Sequence, residues 1–288
     1  VLYSYTAMIP SLPPSTGPIG VFDSGYGGLT ILDKIRGLMP EYDYIYLGDS
    51  ARCPYGPRSF EVVYEFTLQA VSKLFELGCP LVILACNTAS AKALRTIQQI
   101  NLPVIDATRR VLGVIRPTAE CIGEITRSRH VGILATAGTI KSESYLLEIH
   151  KLSPDIVVTG EACPMWVSLV ENNEYQSEGA DYFVKQHINR LLDKDPMIDT
   201  IILGCTHYPL LLDKIRQFTP GHIRIIAQGE YVARSLQDYL NRHPEMDARC
   251  EKGGKCRFLT TESENKFEES ASIFLGRQDI KVESIALE

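Results

Sequence analysis

Twice in this chain an apolar run ends in a small residue and a cysteine, and polar residues then open a helix-like stretch. Residues 82–90 read VILACNTAS, and residues 201–209 read IILGCTHYP. The span between Cys86 and Cys205 is long enough for one small α/β unit. The chain therefore reads as two similar halves, each presenting a cysteine from a strand end. The rest of the sequence keeps the same rhythm. Residues 19–22, 44–47, 81–84, 103–105, 131–134, 156–158, 200–203, 223–226, 258–260 and 282–285 read as strands. Residues 60–77, 179–193 and 231–241 read as amphipathic helices, the first closed by Gly78 and Pro80. Such alternation argues for parallel sheets covered by helices, with ligands bound where strands end and helices begin.

Composition narrows the function class. At 288 residues, 45% hydrophobic and 22% charged, the chain is long enough to bury a sizeable core. A net charge of −6 with no Lys/Arg cluster gives no footprint for nucleic acid. No apolar run is long enough for a membrane span. Residues 1–18 hold four prolines and lack a basic start followed by an apolar core, so they read as a loose tail. The eight cysteines are scattered, which fits reduced thiols in a cytoplasmic protein. Cys250 and Cys256 stand too far apart for a CxxC knuckle and have no His or Cys neighbours, so no metal site is expected.

Chemistry-bearing residues collect at the predicted strand ends. The loop 23–28, DSGYGG, follows a strand and precedes a helix, so glycine backbone and free helix amides are available to an anion. It lacks the G-x-G-x-x-G spacing of dinucleotide sites, and Asp23 and Ser24 could equally be simple caps. A single strand-end cysteine is usually a small buried hydrophobe. Two in matched settings at helix starts, where the helix dipole favours thiolate, point to function for Cys86 and Cys205. His207, two residues beyond Cys205, is placed to help move a proton. Loop 49–56, DSARCPYG, contributes Tyr55 and Gly56 in a shaped turn. Thr136, Thr139 and Ser142 mark another hydroxyl-rich strand-to-helix junction, for which capping alone is an alternative. Glu171 either faces a catalytic group or solvates a helix end.

DSGYGGLT, DSARCPYG, ACNTAS, ATAGTIKS, CPMWVSLVE and GCTHYPLL stand here in the order found in bacterial glutamate racemases. The match runs from about Gly20 to the neighbourhood of Gly229, and the chain resembles the aspartate/glutamate racemase family. The resemblance implies interconversion of L- and D-glutamate, supplying D-glutamate for peptidoglycan, without pyridoxal phosphate or metal, in a homodimer. It implies that Cys86 takes the α-proton from D-glutamate and Cys205 takes it from L-glutamate, with Asp23 and His207 assisting. Ser24, Tyr55, Gly56, Asn87, Thr88 and Thr206 match substrate contacts, and Glu171 matches a carboxylate near the second cysteine. Three residues depart from the family pattern: Tyr26 replaces a small apolar residue, and Trp166 and Ser168 replace Phe and Pro.

The expected architecture is α/β, with two pseudo-symmetric, doubly wound parallel-sheet lobes of flavodoxin-like type and the site in the cleft between them. Residues 19–114 and 225–288 would form the first lobe and 115–224 the second. Two proton-transfer groups on opposite walls let a stereocentre invert without turning over the intermediate. Without an electron-sink cofactor, hydrogen bonds from Asn87, Thr88 and Thr206 in a site closed to water would have to stabilise the carbanion. The alternatives are an aspartate racemase, a thiol hydrolase using Cys205 with His207, and a non-enzymatic two-lobe binding protein.

Overall fold

A computed structural model of the chain describes residues 16–276 and 280–287. Ten strands form two sheets: β1 (Ile19–Asp23), β2 (Tyr44–Gly48), β3 (Leu81–Leu84), β4 (Arg110–Gly113), β5 (His130–Ala135), β6 (Val157–Ala162), β7 (Thr200–Gly204), β8 (Arg224–Ile226), β9 (Cys256–Thr260) and β10 (Val282–Ser284). The larger sheet runs β10-β9-β2-β1-β3-β4 and the smaller β6-β5-β7-β8. Every pairing is parallel. The order second-first-third-fourth therefore occurs twice, once in β1 to β4 and once in β5 to β8. The larger sheet adds β9 and β10 beyond β2. In both units the order reverses between the first and third strands, where an open parallel sheet leaves a crevice at its carboxyl ends.

Both sheets are covered on both faces, which explains why their strands read as continuous apolar runs and not as alternating ones. In β1 the fully buried Val21 packs into the core under helices Leu29–Leu38 and Gly229–Arg242, while its neighbour Phe22 packs into the opposite core under helix Phe60–Glu76. In β7, Ile201 and Leu203 join one core and Ile202 the other. Helix Phe60–Glu76 is started by Ser59, whose hydroxyl accepts from the Val62 amide, and Gly78, at φ +95°, follows its end.

One expected strand is overturned. Residues 103–105 lie in a helical turn, Leu102–Ile105, and the fourth strand is Arg110–Gly113. Pro103 sits in the first turn of that helix, where its missing N–H costs nothing, and Val104 projects 77% exposed. A three-residue apolar run carries no periodicity by which to separate the two states. Each of the other expected strands overlaps an observed one. Ile225 and Ile226 pair with Ile201 and Ile202, so the smaller sheet extends two residues past the boundary expected at 224. Of the N-terminal tail, residues 1–15 lie outside the described residues. Gly17 bridges to Cys250, pinning the approach to β1. Among the described residues no helix is long and apolar enough to cross a membrane.

Candidate active site

Two matched crossings build the site. Cys86 follows β3 and Cys205 follows β7, the third strand of each unit. The loops after the first strands, carrying Asp23 and Ser24 in one unit and Thr136 and Thr139 in the other, flank them. Ser24, Tyr55, Gly56, Cys86, Asn87, Thr88, Thr136, Cys205, Thr206 and His207 all line one small cavity of about 20 Å³. Cys53, Pro54 and Val167 complete its wall.

The two units meet here at close range. A side chain at position 27 would bring its Cβ to 2.4 Å from Thr206 Oγ1 and 2.6 Å from His207 Nδ1, so only glycine lets the two loops approach. Thr30 Oγ1 donates to the Thr206 carbonyl at 3.2 Å, and Thr206 Oγ1 donates to Asp23 at 3.4 Å. Thr88, Thr136 and Thr139 form a hydroxyl triangle with edges of 3.0, 3.4 and 3.1 Å.

Cys86 caps the short helix Asn87–Lys92, and its sulfur accepts from the Ala89 amide at 3.4 Å. Its thiol donates to Ser24 Oγ at 3.3 Å. Burial, and then the nearby Asp23 charge, push this thiol up to about 12 against the opposing bonds from Ser24 and Ala89. Asp23 itself is fully buried and accepts from the Gly25 amide at 3.0 Å. Burial raises its pKa above the ordinary carboxylate value, opposed by the charge of His207 and by backbone amides.

The Cys205 side is built differently. Its sulfur lies 3.8 Å from His207 Nδ1, and His207 Nε2 lies 3.0 Å from Glu171 Oε1. Burial alone would lower the His207 pKa, but the bonds to Cys205 and Glu171 outweigh it and hold the imidazole well above its usual value. Burial alone would raise Glu171, but the bond and charge of His207, with help from Cys53, hold it below the usual range. An ionised carboxylate only accepts, so Nε2–H donates to it and the remaining ring N–H faces Cys205.

Three expected site residues stand behind the cavity wall: Asp23 beneath the Ser24 loop, Thr139 in the hydroxyl triangle and Glu171 behind His207. Ser142 donates to the Thr139 carbonyl, a turn contact away from the cavity. Tyr55 lines the cavity with its ring while its hydroxyl donates to Asp49. Two of the three departures from the family pattern, Tyr26 and Trp166, also find their places. Tyr26 packs its ring 5.3 Å from that of Phe267. Trp166 is fully buried, with its indole N–H donating to His187 Nδ1 at 3.1 Å and its ring edge-on to Tyr208 at 4.8 Å. The same Nδ1 also lies 2.8 Å from the Phe183 carbonyl, and burial lowers the His187 pKa against that contact.

Sequence reasoning missed Cys53, Val167, Tyr145 and Gln228. Cys53 and Val167 stood inside segments already singled out. Tyr145 and Gln228 carried no local signal, because their role is long-range. Tyr145 Oη donates to Asn87 Oδ1 at 2.7 Å, Asn87 Nδ2 donates to Gln228 Oε1 at 2.7 Å, and Gln228 Nε2 reaches Tyr145 Oη at 2.7 Å and the Val114 carbonyl at 3.0 Å. This buried knot sits where the chain crosses between the sheets, and it fixes Asn87 beside Cys86.

Comparison with known proteins identifies the family. The Asp/Glu/Hydantoin racemase family model matches residues 30–236. The glutamate racemase of Ruegeria sp. is 38% identical over 270 residues, covering 90% of this chain and 97% of the relative. That of Bacillus cereus is 39% identical over 271 residues, covering 94% and 97%. A Bacillus anthracis glutamate racemase superposes with a TM-score of 0.85 at 35% identity, covering 95% of this chain and 98% of that one. The Francisella tularensis enzyme, solved in complex with D-glutamate, gives 0.83 at 32% identity with the same coverage. A family model over residues 30–236, relatives 38–39% identical along nearly their whole length and structures of the same two-sheet fold establish that the chain belongs to the Asp/Glu/hydantoin racemase family.

Proposed function

We propose that this enzyme interconverts L- and D-glutamate, with Cys86 and Cys205 as the two proton-transfer groups. The observation that carries the reading is the pairing itself: both thiols line one cavity, each delivered by the third strand of its unit. Relatives named glutamate racemase supply the substrate. With L-glutamate, Cys205 thiolate takes the α-proton and Cys86 thiol returns one to the other face. A Cys86 thiol held near 12 is protonated at neutral pH, as a donor for this direction must be. His207, held above its ordinary pKa, places a ring N–H 3.8 Å from the Cys205 sulfur, where a proton can pass between them. With D-glutamate the roles exchange.

Ser24, Asn87, Thr88, Thr136 and Thr206 offer hydroxyl and amide groups to the carboxylates of the substrate, while Tyr55 and Gly56 shape the wall. These donors, held by the hydroxyl triangle and the Asn87 knot before substrate arrives, stabilise the developing carbanion without reorganising. A cavity of about 20 Å³ has room for about one water, so its lining must shift to admit an amino acid. We take 19–114 and 227–288 as one lobe and 115–226 as the other, the second crossing set by the pairing of Ile225 and Ile226 with β7. A cytoplasmic homodimer supplying D-glutamate to peptidoglycan belongs to the same reading, on the resemblance.

The deciding experiment incubates the protein with L-glutamate in deuterium oxide, without added cofactor, and follows α-proton exchange by NMR and optical rotation by circular dichroism. Racemisation with deuterium entering mainly the D-product at early times is the expected result. A preference for aspartate overturns the substrate, and no exchange with either amino acid overturns the reaction.

A further inference from the structure

In the cavity wall, against the carboxylate that backs His207, stands a thiol that no step above uses. Cys53 belongs to the loop after β2, in the larger sheet's unit, whereas Glu171 ends helix Trp166–Glu171 in the smaller sheet's unit. Cys53 Sγ donates to Glu171 Oε1 at 3.0 Å, and that same oxygen receives His207 Nε2–H at 3.0 Å. The pair is tightly enclosed: a Cβ at position 25 would fall 3.0 Å from Cys53 Sγ and 3.2 Å from Glu171 Oε1. The turn after Asp23 and Ser24 is therefore close against the contact, and a side chain at position 25 would have to displace it by a few tenths of an ångström.

We propose that Cys53 is a positioning residue for the Cys205 half of the site, holding across the interface between the two units the carboxylate that orients His207. This rests on the racemase reading and deepens it. A carboxylate with a single partner is free to turn about its last torsion. One whose shared oxygen takes a thiol from one unit and an imidazole from the other is held in a single plane, with His207 aimed at Cys205. Because the thiol belongs to the opposite unit, the alignment is complete only when the two units are together. Burial and the Glu171 charge hold the Cys53 thiol well above its ordinary pKa, so it remains an S–H donor and does not compete as a nucleophile.

Three variants test this: Cys53→Val, which keeps the bulk and loses the donor; Cys53→Ala, which loses both; and Cys53→Ser, which keeps a donor. The two enantiomers have equal free energy in water, so kcat/KM must fall equally in both directions whatever is changed. The directional information lies in the isotope effect. Loss of the donor is expected to lower kcat/KM about tenfold, the effect of one charge-assisted hydrogen bond. It should raise the primary isotope effect with α-deuterated L-glutamate, whose proton leaves to Cys205, and lower it with the D-isomer. Cys53→Ser should recover to within about twofold, since its hydroxyl also donates. A second readout does not depend on turnover: the ¹⁵N shift of His207 Nε2 should move in Cys53→Val and return in Cys53→Ser. Folded Val and Ala variants with unchanged isotope effects and an unchanged shift overturn the proposal. A wild-type protein inactive on glutamate overturns the racemase reading instead, and the nitrogen shift still decides the role of Cys53.

Discussion

The two cysteine junctions occupy the same topological position and solve the same problem by different means. After β3, Cys86 caps a regular helix, and its sulfur rests between a backbone amide and the Ser24 hydroxyl, with a buried carboxylate nearby. After β7, Cys205 is followed by a 3-10 turn, Tyr208–Leu211, and its sulfur faces an imidazole backed by Glu171. Strand order decides where a reactive group is delivered. The two or three residues that follow it decide how its charge is managed. A repeated fold therefore brings no obligation to repeat the proton chemistry, and a reaction between mirror images, balanced in free energy, runs on an unsymmetrical site.

The comparison breaks most sharply at the sulfurs. If the two thiols act as proposed, Cys86→Ala and Cys205→Ala should each lose about 10³-fold or more in kcat/KM, equally in both directions, because each turnover would then need both groups. Circular dichroism assays that found either variant near wild-type rate would leave that junction with a structural role alone. A smaller effect separates the two sides. His207→Asn should cost about 10²-fold and enlarge the isotope effect with α-deuterated L-glutamate, while Asp23→Asn should enlarge it with the D-isomer. Equal changes with both isomers for both variants would dissolve the assignment of sides.

The smallest effect is on stability, and its sign follows from linkage. Glu171 is held below its ordinary 4.5 in the folded chain, so its contribution is complete above that value and fades as pH falls through the lower folded one. His207, held above its ordinary value, acts with the opposite sign, and its contribution fades as pH rises through the folded pKa. Glu171→Gln should therefore be less stable than the parent by about 2 kcal/mol at neutral pH. In denaturant melts that gap should narrow as pH falls below 4.5 and through the lower folded pKa. A gap constant over that range would mean the carboxylate does not carry its charge in the pair.

The sequence made the strand-end junctions legible because strand, small residue, cysteine and helix start lie within nine residues of one another. Cys86, Cys205, Ser24 and Thr136 were readable for that reason. His207 and Glu171 were named as candidates too, but the contacts that join the network behind the cysteines were not legible. His207 and Glu171 are separated by a helix and a strand, and Cys53 meets Glu171 across 118 positions. Tyr145 and Gln228 are ordinary polar residues in their local segments, and only the folded chain brings them to Asn87. The strand expected at 103–105 failed for the opposite reason: the signal was local but too short, and a proline suited to a helix start decided the outcome.

The way the chain crosses between its two sheets has a consequence for biosynthesis. It leaves the larger sheet near Val114 and returns near Gln228, and those two residues are hydrogen-bonded to each other. All four strands of the smaller sheet have been synthesised once Ile226 emerges, whereas β2 of the larger sheet still lacks its neighbour β9, which begins at Cys256. On a ribosome, where domains fold as units in the order they appear, the inserted lobe can finish before its host. The host would then close around a completed guest, and the cavity that needs both would be the last part of the molecule to exist.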